Sequence, residues 1–174
     1  MPVYDLDGKR PVIGDGTWVA PSAEIIGDVV IGKDCHIGFG AIIRGDFGKI
    51  LIGDESVIED SVVIHCQTSV VIGRRVIVGH MVMLHDTTIR DCCLIGMKSI
   101  LCDHSEIGEW SIVAEQSRIK KHQVVPNRAI FAGSPAEKIG EVTDKHVNRL
   151  KKGQNAYMEL TRKYLSDLKK IRGL

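Results

Sequence analysis

The sequence predicts an all-β solenoid closed by one C-terminal helix, and three observations carry that prediction. First, aliphatic residues recur at every sixth position. They run Ile13, Val19, Ile25, Ile31, Ile37 and Ile43, then Ile52, Ile58 and Ile64, then Ile72, Val78 and Leu84. Ile89, Ile95, Leu101, Ile107, Val113, Ile119, Val125 and Phe131 complete the ladder. A period of six is neither the 3.6 of a helix nor the 2 of a plain strand; it fits a short strand and a corner, repeated. Second, glycine often follows a rung, as in Ile31-Gly32, Ile52-Gly53 and Ile95-Gly96. Glycine, or a small polar residue in its place, is read here as permitting the corner. Third, past Gly133-Ser134-Pro135 the apolar spacing turns helical: Val147, Leu150, Tyr157, Leu160, Tyr164, Leu165, Leu168 and Ile171.

Nineteen of the twenty rungs are Ile, Val or Leu, and aromatics are 5% of the chain. The interior must therefore be filled by branched aliphatics, which suit strands. Three rungs per coil give between six and seven coils. The β-helix is expected over about residues 11–136, inside a domain spanning 1–140. A second unit, residues 141–174, is expected as a helix packed on the outside of the prism or on a neighbouring subunit. Gly153 weakens that helix locally.

Composition narrows the function. The net charge is +1 with no long block of one sign, which argues against nucleic acid as a partner. No apolar run approaches the roughly 18 residues of a membrane span. The start, Met1-Pro2-Val3-Tyr4-Asp5, lacks a basic segment followed by an apolar one, so no signal peptide is expected. The five cysteines are odd in number and lack C-x-x-C spacing. They read as buried or idle thiols in a cytoplasmic protein.

The ladder breaks step only after Ile43, Ile64 and Leu84, where the next rung is nine, eight and five residues on. With the three faces numbered in chain order, all three departures fall on the edge after face three. Loops on one face of a repeat protein are often its binding face. The residues just past these rungs are Arg44, His65 and His85, and strand alternation points them outward. Coils stack about 4.8 Å apart, so His65 and His85 should be vertical neighbours able to share a metal, with Arg44 one coil below. Imidazole is the commonest ligand for such a metal, and three imidazoles with an open fourth position make a catalytic site. His80 follows Val78 on face two, around a corner. A homotrimer in which face two of one subunit meets face three of the next would reunite the three. Cys102, one coil above His85, reads as a small filler rather than a fourth ligand. His36, His104, His122 and His146 join no constellation.

These residues resemble the γ-class carbonic anhydrase family of the hexapeptide-repeat superfamily. Its ligand pattern is a histidine ending one rung, then G-H-x4-H a coil later; here Ile64-His65 and Gly79-His80-x4-His85. Arg44-Gly45-Asp46 matches the family's Arg-x-Asp, and Phe131 to Ala136 resembles its closing stretch. The resemblance implies a left-handed β-helix that binds Zn2+, or Fe2+ or Co2+, through His65, His80 and His85. It implies a lyase hydrating CO2 to bicarbonate, with Arg44, Asp46 and Glu59 as site residues. Glu59 stands where a glutamine is usual, Val57 for an asparagine, Phe131 for a tyrosine and Phe47 for a carboxylate, and no Asp or Glu lies between His65 and His80. Slow proton export is therefore expected, with Glu59 as substitute base or shuttle. A metal-dependent acyl-CoA thioesterase and a non-catalytic assembly subunit are the alternatives. A metal-free hexapeptide acyltransferase is disfavoured by the histidine set.

Overall fold

The computed structural model describes residues 3–171 and is a left-handed parallel β-helix with one α-helix. The three columns of rungs stack in register. Face one carries Ile13, Ile31, Ile52, Ile72, Ile89, Ile107 and Val125. Face two carries Val19, Ile37, Ile58, Val78, Ile95, Val113 and Phe131. Face three carries Ile25, Ile43, Ile64, Leu84, Leu101 and Ile119. All but Ile13 and Val19, on the first coil, are buried. Burying each such side chain is worth about 1.5–3 kcal/mol, most of it offset by the entropy of ordering the chain.

Two long strands, Glu24–Ile31 and Ile42–Ile52, bend around the edge between faces three and one and join them into one sheet. Face two forms a separate sheet. The off-step intervals of the ladder lie at that bent edge, which later coils cross through the loops after His65 and His85.

Two positions before several rungs sits a small polar residue whose side chain donates to a carbonyl of the next coil. Ser56 Oγ reaches Gly73 O at 2.8 Å, Ser111 Oγ reaches Pro126 O at 2.6 Å and Cys93 Sγ reaches Gly108 O at 3.0 Å. The thiols of Cys35 and Cys93 stand where other coils have serine. Burial pushes Cys35 up to about 11 and Cys93 up to about 12, so both are inert thiols.

The role first assigned to glycine is corrected. The corner residues with positive φ lie three positions after a rung and are mostly not glycine: Asp34, Arg75, Cys92, Lys98 and Trp110 all have φ between 53° and 60°. Side chains rarely adopt this region, and they hold it here because the strands on either side fix the turn. The glycine directly after a rung has ordinary φ. Its need is space: a Cβ on Gly53 would lie 2.6 Å from Gly73 C, and one on Gly96 2.4 Å from Glu115 N.

After Gly133 the chain reverses, and Ala136–Glu141 pairs antiparallel with Ala129–Gly133, a closing hairpin that the ladder does not announce. Helix α1, Asp144–Asp167, then runs back along face two of its own chain. His146 caps it: its Nδ1 accepts the Thr143 N–H at 3.0 Å. Gly153 does not interrupt α1. The helix stops before Leu168 and Ile171, both exposed, so the reading that carried helix to the chain end is corrected; residues 172–174, like Met1 and Pro2, lie outside the described residues. No helix among the described residues is long and apolar enough to cross a membrane.

The buried stripe of α1 is Gln154, Met158 and Thr161, flanked by Tyr157 and Tyr164. His36 is part of this joint. It is 4% exposed, its Nδ1 lies 3.0 Å from Thr161 Oγ1, and its ring packs between Trp18 and Tyr164.

Candidate metal centre

Parallel pairing puts Arg44, His65 and His85 in one outward column on face three. The rings of His65 and His85 are 5.3 Å apart. Asp46 joins the lower two residues. Its Oδ2 accepts from Arg44 Nη1 at 2.6 Å and its Oδ1 lies 2.9 Å from His65 Nε2. Burial alone would raise the Asp46 carboxyl, but the His65 hydrogen bond and the Arg44 charge more than offset it and hold it below the usual range. A carboxylate only accepts, so His65 carries its hydrogen on Nε2. Phe47, 69% exposed, meets the His65 ring edge-on at 5.9 Å.

His85 is held from its other nitrogen. Its Nδ1 lies 2.7 Å from Asp103 Oδ1, and Lys121 Nζ is 3.6 Å from Asp103 Oδ2. The His85 hydrogen bond leads in holding the Asp103 carboxyl low, and Lys121 adds to it. Asp86, almost fully buried, uses Oδ1 to accept from the Thr68 N–H, the Thr68 hydroxyl and the Ser69 N–H. It thereby pins the loop that follows His65. Its Oδ2 is 3.9 Å from His85 Nδ1, too far for a hydrogen bond. Among the described residues, His85, Asp86 and Asp103 are the three metal-type donors whose ligand atoms converge within 4.8 Å.

His80 lies on face two, in the other sheet, one residue past the Ile77–Val78 strand and Gly79. Its Nδ1 accepts the Asp60 N–H at 3.2 Å, so the hydrogen sits on Nε2, which faces Glu59 Oε2 at 3.0 Å. Glu59 is 9% exposed and also accepts the His80 N–H at 3.0 Å. Tyr157 of α1 reaches it too: burial first, then its hydrogen bond to Glu59, pushes that phenol up. Glu59 is thus fixed beside His80 of its own chain. Cys102 stands one rung above His85, half-buried, with its backbone N–H on Ile119 O at 3.1 Å.

One chain therefore brings together Arg44, Asp46, His65 and His85, and separately Glu59 and His80. Two imidazoles on adjacent rungs suit a borderline divalent ion by donor chemistry. Within a single chain His80 does not join them, because it projects from the adjoining face. Asp103, Asp86 and Asp60 were missed in the sequence. The signal existed: Leu84 aligns with Leu101, so Asp103 must fall one rung above Asp86, beside His85.

The family model for bacterial transferase hexapeptide repeats matches residues 10–45. The carnitine operon protein CaiE of Salmonella agona is 33% identical over 92% of this chain and 82% of its own length. The chain belongs to the hexapeptide-repeat family of CaiE and the γ carbonic anhydrases. Within it, the mitochondrial gamma carbonic anhydrase 2 of Arabidopsis thaliana is 31% identical over 96% of this chain, which spans 62% of that relative. The crystal structure of a hexapeptide transferase family protein from Anaplasma phagocytophilum superposes with TM-score 0.91 at 33% identity, covering 94% of this chain and 98% of that one. AntD, an N-acyltransferase from Bacillus cereus, shares the fold at TM-score 0.71 and 18% identity, covering 83% of this chain and 91% of its own.

Proposed function

We propose that this protein is a carbonate dehydratase, a lyase that hydrates CO2 to bicarbonate at a divalent metal shared between subunits of a cytoplasmic homotrimer. The observation that carries the reading is the in-register stack of Arg44, His65 and His85 at the one edge where the ladder breaks step. His65 and His85 of one chain and His80 of the next would hold the ion, with Zn2+ favoured and Fe2+ or Co2+ compatible. When bound, the metal supplies Lewis acidity that brings a coordinated water toward a pKa of about 7. Ile42, Val63, Met83 and Ile100 form an apolar column beside the two histidines, with Ile42 38% and Ile100 44% exposed. Such a stripe is the expected face for a second copy.

The protein's own groups divide the remaining work. Asp46 orients the His65 ring and holds the Arg44 guanidinium, which is left to steer an anionic product. Glu59, fixed by the His80 N–H and by Tyr157, is the carboxylate beside His80 able to take a proton from a water there. No acid lies between His65 and His80 in the sequence, so proton export is expected to limit turnover. The test is metal analysis of the purified protein followed by stopped-flow CO2 hydration. Small buffers such as imidazole should raise kcat much more than kcat/KM. Glu59→Gln should lose rate at low buffer and regain it at high buffer. Equal rates for parent and variant at every buffer concentration would remove Glu59 as shuttle.

One observation favours a second reading. A groove of about 720 Å³ runs between α1 and face two, floored by Ile77, Leu94, Ile112 and Ile130, and reaches Glu59. CO2 needs no such groove, whereas an acyl chain does. Metal-dependent cleavage of acyl-CoA without CO2 hydration would replace the first reading, and metal-loaded protein inactive in both assays would favour an assembly subunit.

A further inference from the structure

Of the three histidines, His85 differs in which nitrogen is engaged. His65 and His80 each point a hydrogen-bearing Nε2 at a carboxylate, Asp46 and Glu59. His85 is engaged through Nδ1, at 2.7 Å from Asp103 Oδ1. A carboxylate offers no hydrogen, so the hydrogen must lie on Nδ1, and Nε2 is left with its lone pair free. Asp86 cannot do this work, since its Oδ1 is committed to three donors of the Thr68–Ser69 loop and its Oδ2 stands at 3.9 Å. Asp103 is itself placed by the coil stack and steadied by Lys121 at 3.6 Å, on the rung above Asp86.

We infer that Asp103 is a positioning residue for the metal site: it fixes His85 as the Nδ1–H tautomer and so presents Nε2 as a ready ligand. Metal-ligating histidines commonly donate their other N–H to such a carboxylate, which sets tautomer and ring orientation. His85 thus presents Nε2, whereas His65 and His80 carry their hydrogen on Nε2 and keep a lone pair only on Nδ1, which in His80 already accepts the Asp60 N–H. The inference rests on the metal reading for its consequence, but the tautomer is a property of the metal-free protein and can be read alone.

The experiment uses the full-length protein labelled with ring-15N histidine, and the variants Asp103→Ala and Asp103→Asn. Long-range 1H–15N spectra of the metal-stripped protein report which nitrogen of each histidine carries the hydrogen, with the His85 signal assigned by its loss in His85→Ala. The parent should show His85 as Nδ1–H. Asp103→Ala should move it toward Nε2–H, and Asp103→Asn, whose amide oxygen still accepts, should keep Nδ1–H. Zinc affinity, measured by competition with a chelator, should fall about 10–100-fold in Asp103→Ala and less in Asp103→Asn. A structural role alone would lower thermal stability in both variants without changing the tautomer. If Asp103→Ala keeps the Nδ1–H tautomer, or keeps zinc affinity within about twofold, the inference is overturned. If the parent shows the Nδ1–H tautomer and Asp103→Ala loses it while the parent takes up no metal, the orienting role stands and it is the metal reading that fails.

Discussion

At the scale of single residues, the structure separates histidines that look alike in sequence. His65 and His85 were legible because each ends a rung on the same face, and register does the rest. His36 was expected as a structural or solvated residue and is structural, but its partners were not legible. Its partners are Trp18, a coil below, and Thr161 and Tyr164, more than a hundred positions on, and no local pattern announces them. Its burial has a measurable consequence. Burial pushes the His36 pKa down to about 4, with Asp60 pulling weakly the other way. The folded state then keeps His36 neutral, while the unfolded chain takes up a proton below about 6.5. Between these values the unfolded state binds more protons, so stability rises with pH; the contribution is complete above about 6.5 and lost toward 4. Its size is about 3–4 kcal/mol at most. Urea unfolding of metal-stripped protein across pH 4 to 7 should show this slope in the parent and a flatter one in His36→Phe. Equal slopes would show that His36 does not govern acid sensitivity.

At the scale of elements, the ladder was readable to the residue, since a six-residue period admits few alternatives. The glycines and the helix were read less well, for different reasons. A glycine after each rung suggests a left-handed corner, but only the stacked coils reveal that the missing Cβ makes room for the next backbone. Gly53→Ala should therefore destabilise by about 1–3 kcal/mol or more, because the obstruction is main chain at 2.6 Å and cannot swing aside. Helix α1 buries a partly polar stripe, in which Gln154 donates to Glu55 O and Thr161 meets His36. Its Leu165, 52% exposed, faces away, so hydropathy alone misplaces its docking face. Gly153 makes the opposite prediction to Gly53. A Cβ there would meet only Ile77 Cδ1 at 3.8 Å, an ordinary contact. Gly153→Ala should stabilise by about 0.5–1 kcal/mol through helix propensity. Chemical denaturation of the two alanine variants checks both signs, and destabilisation by Gly153→Ala would mean that α1 sits tighter on face two than this distance implies.

At the scale of the whole molecule, the question is how His80 and the pair His65–His85 can serve one ion when they lie in different sheets. A triangular prism cannot fold its own corner flat, so on the proposed reading the third donor comes from another copy. Closed cyclic symmetry would then make every interface alike, with faces three and two meeting three times in the proposed trimer. This assembly gives a quantitative prediction. Each site needs His65 from one subunit and His80 from its neighbour. His65→Ala homotrimers and His80→Ala homotrimers should each lack the full set at every interface. When the two variants are unfolded together and reassembled in equal amounts, a site is whole wherever a His80→Ala chain offers face three to the face two of a His65→Ala chain. Random order makes that about one interface in four. Tight metal uptake and any CO2 hydration should return to about a quarter of the parent level in the mixture, and to none in either variant alone. Subunit exchange can be confirmed by tagging one variant and capturing the other with it. Were exchange confirmed but no sites regained, the three histidines would not act across an interface. The ion would then have to be sought within one chain, at His85, Asp86 and Asp103.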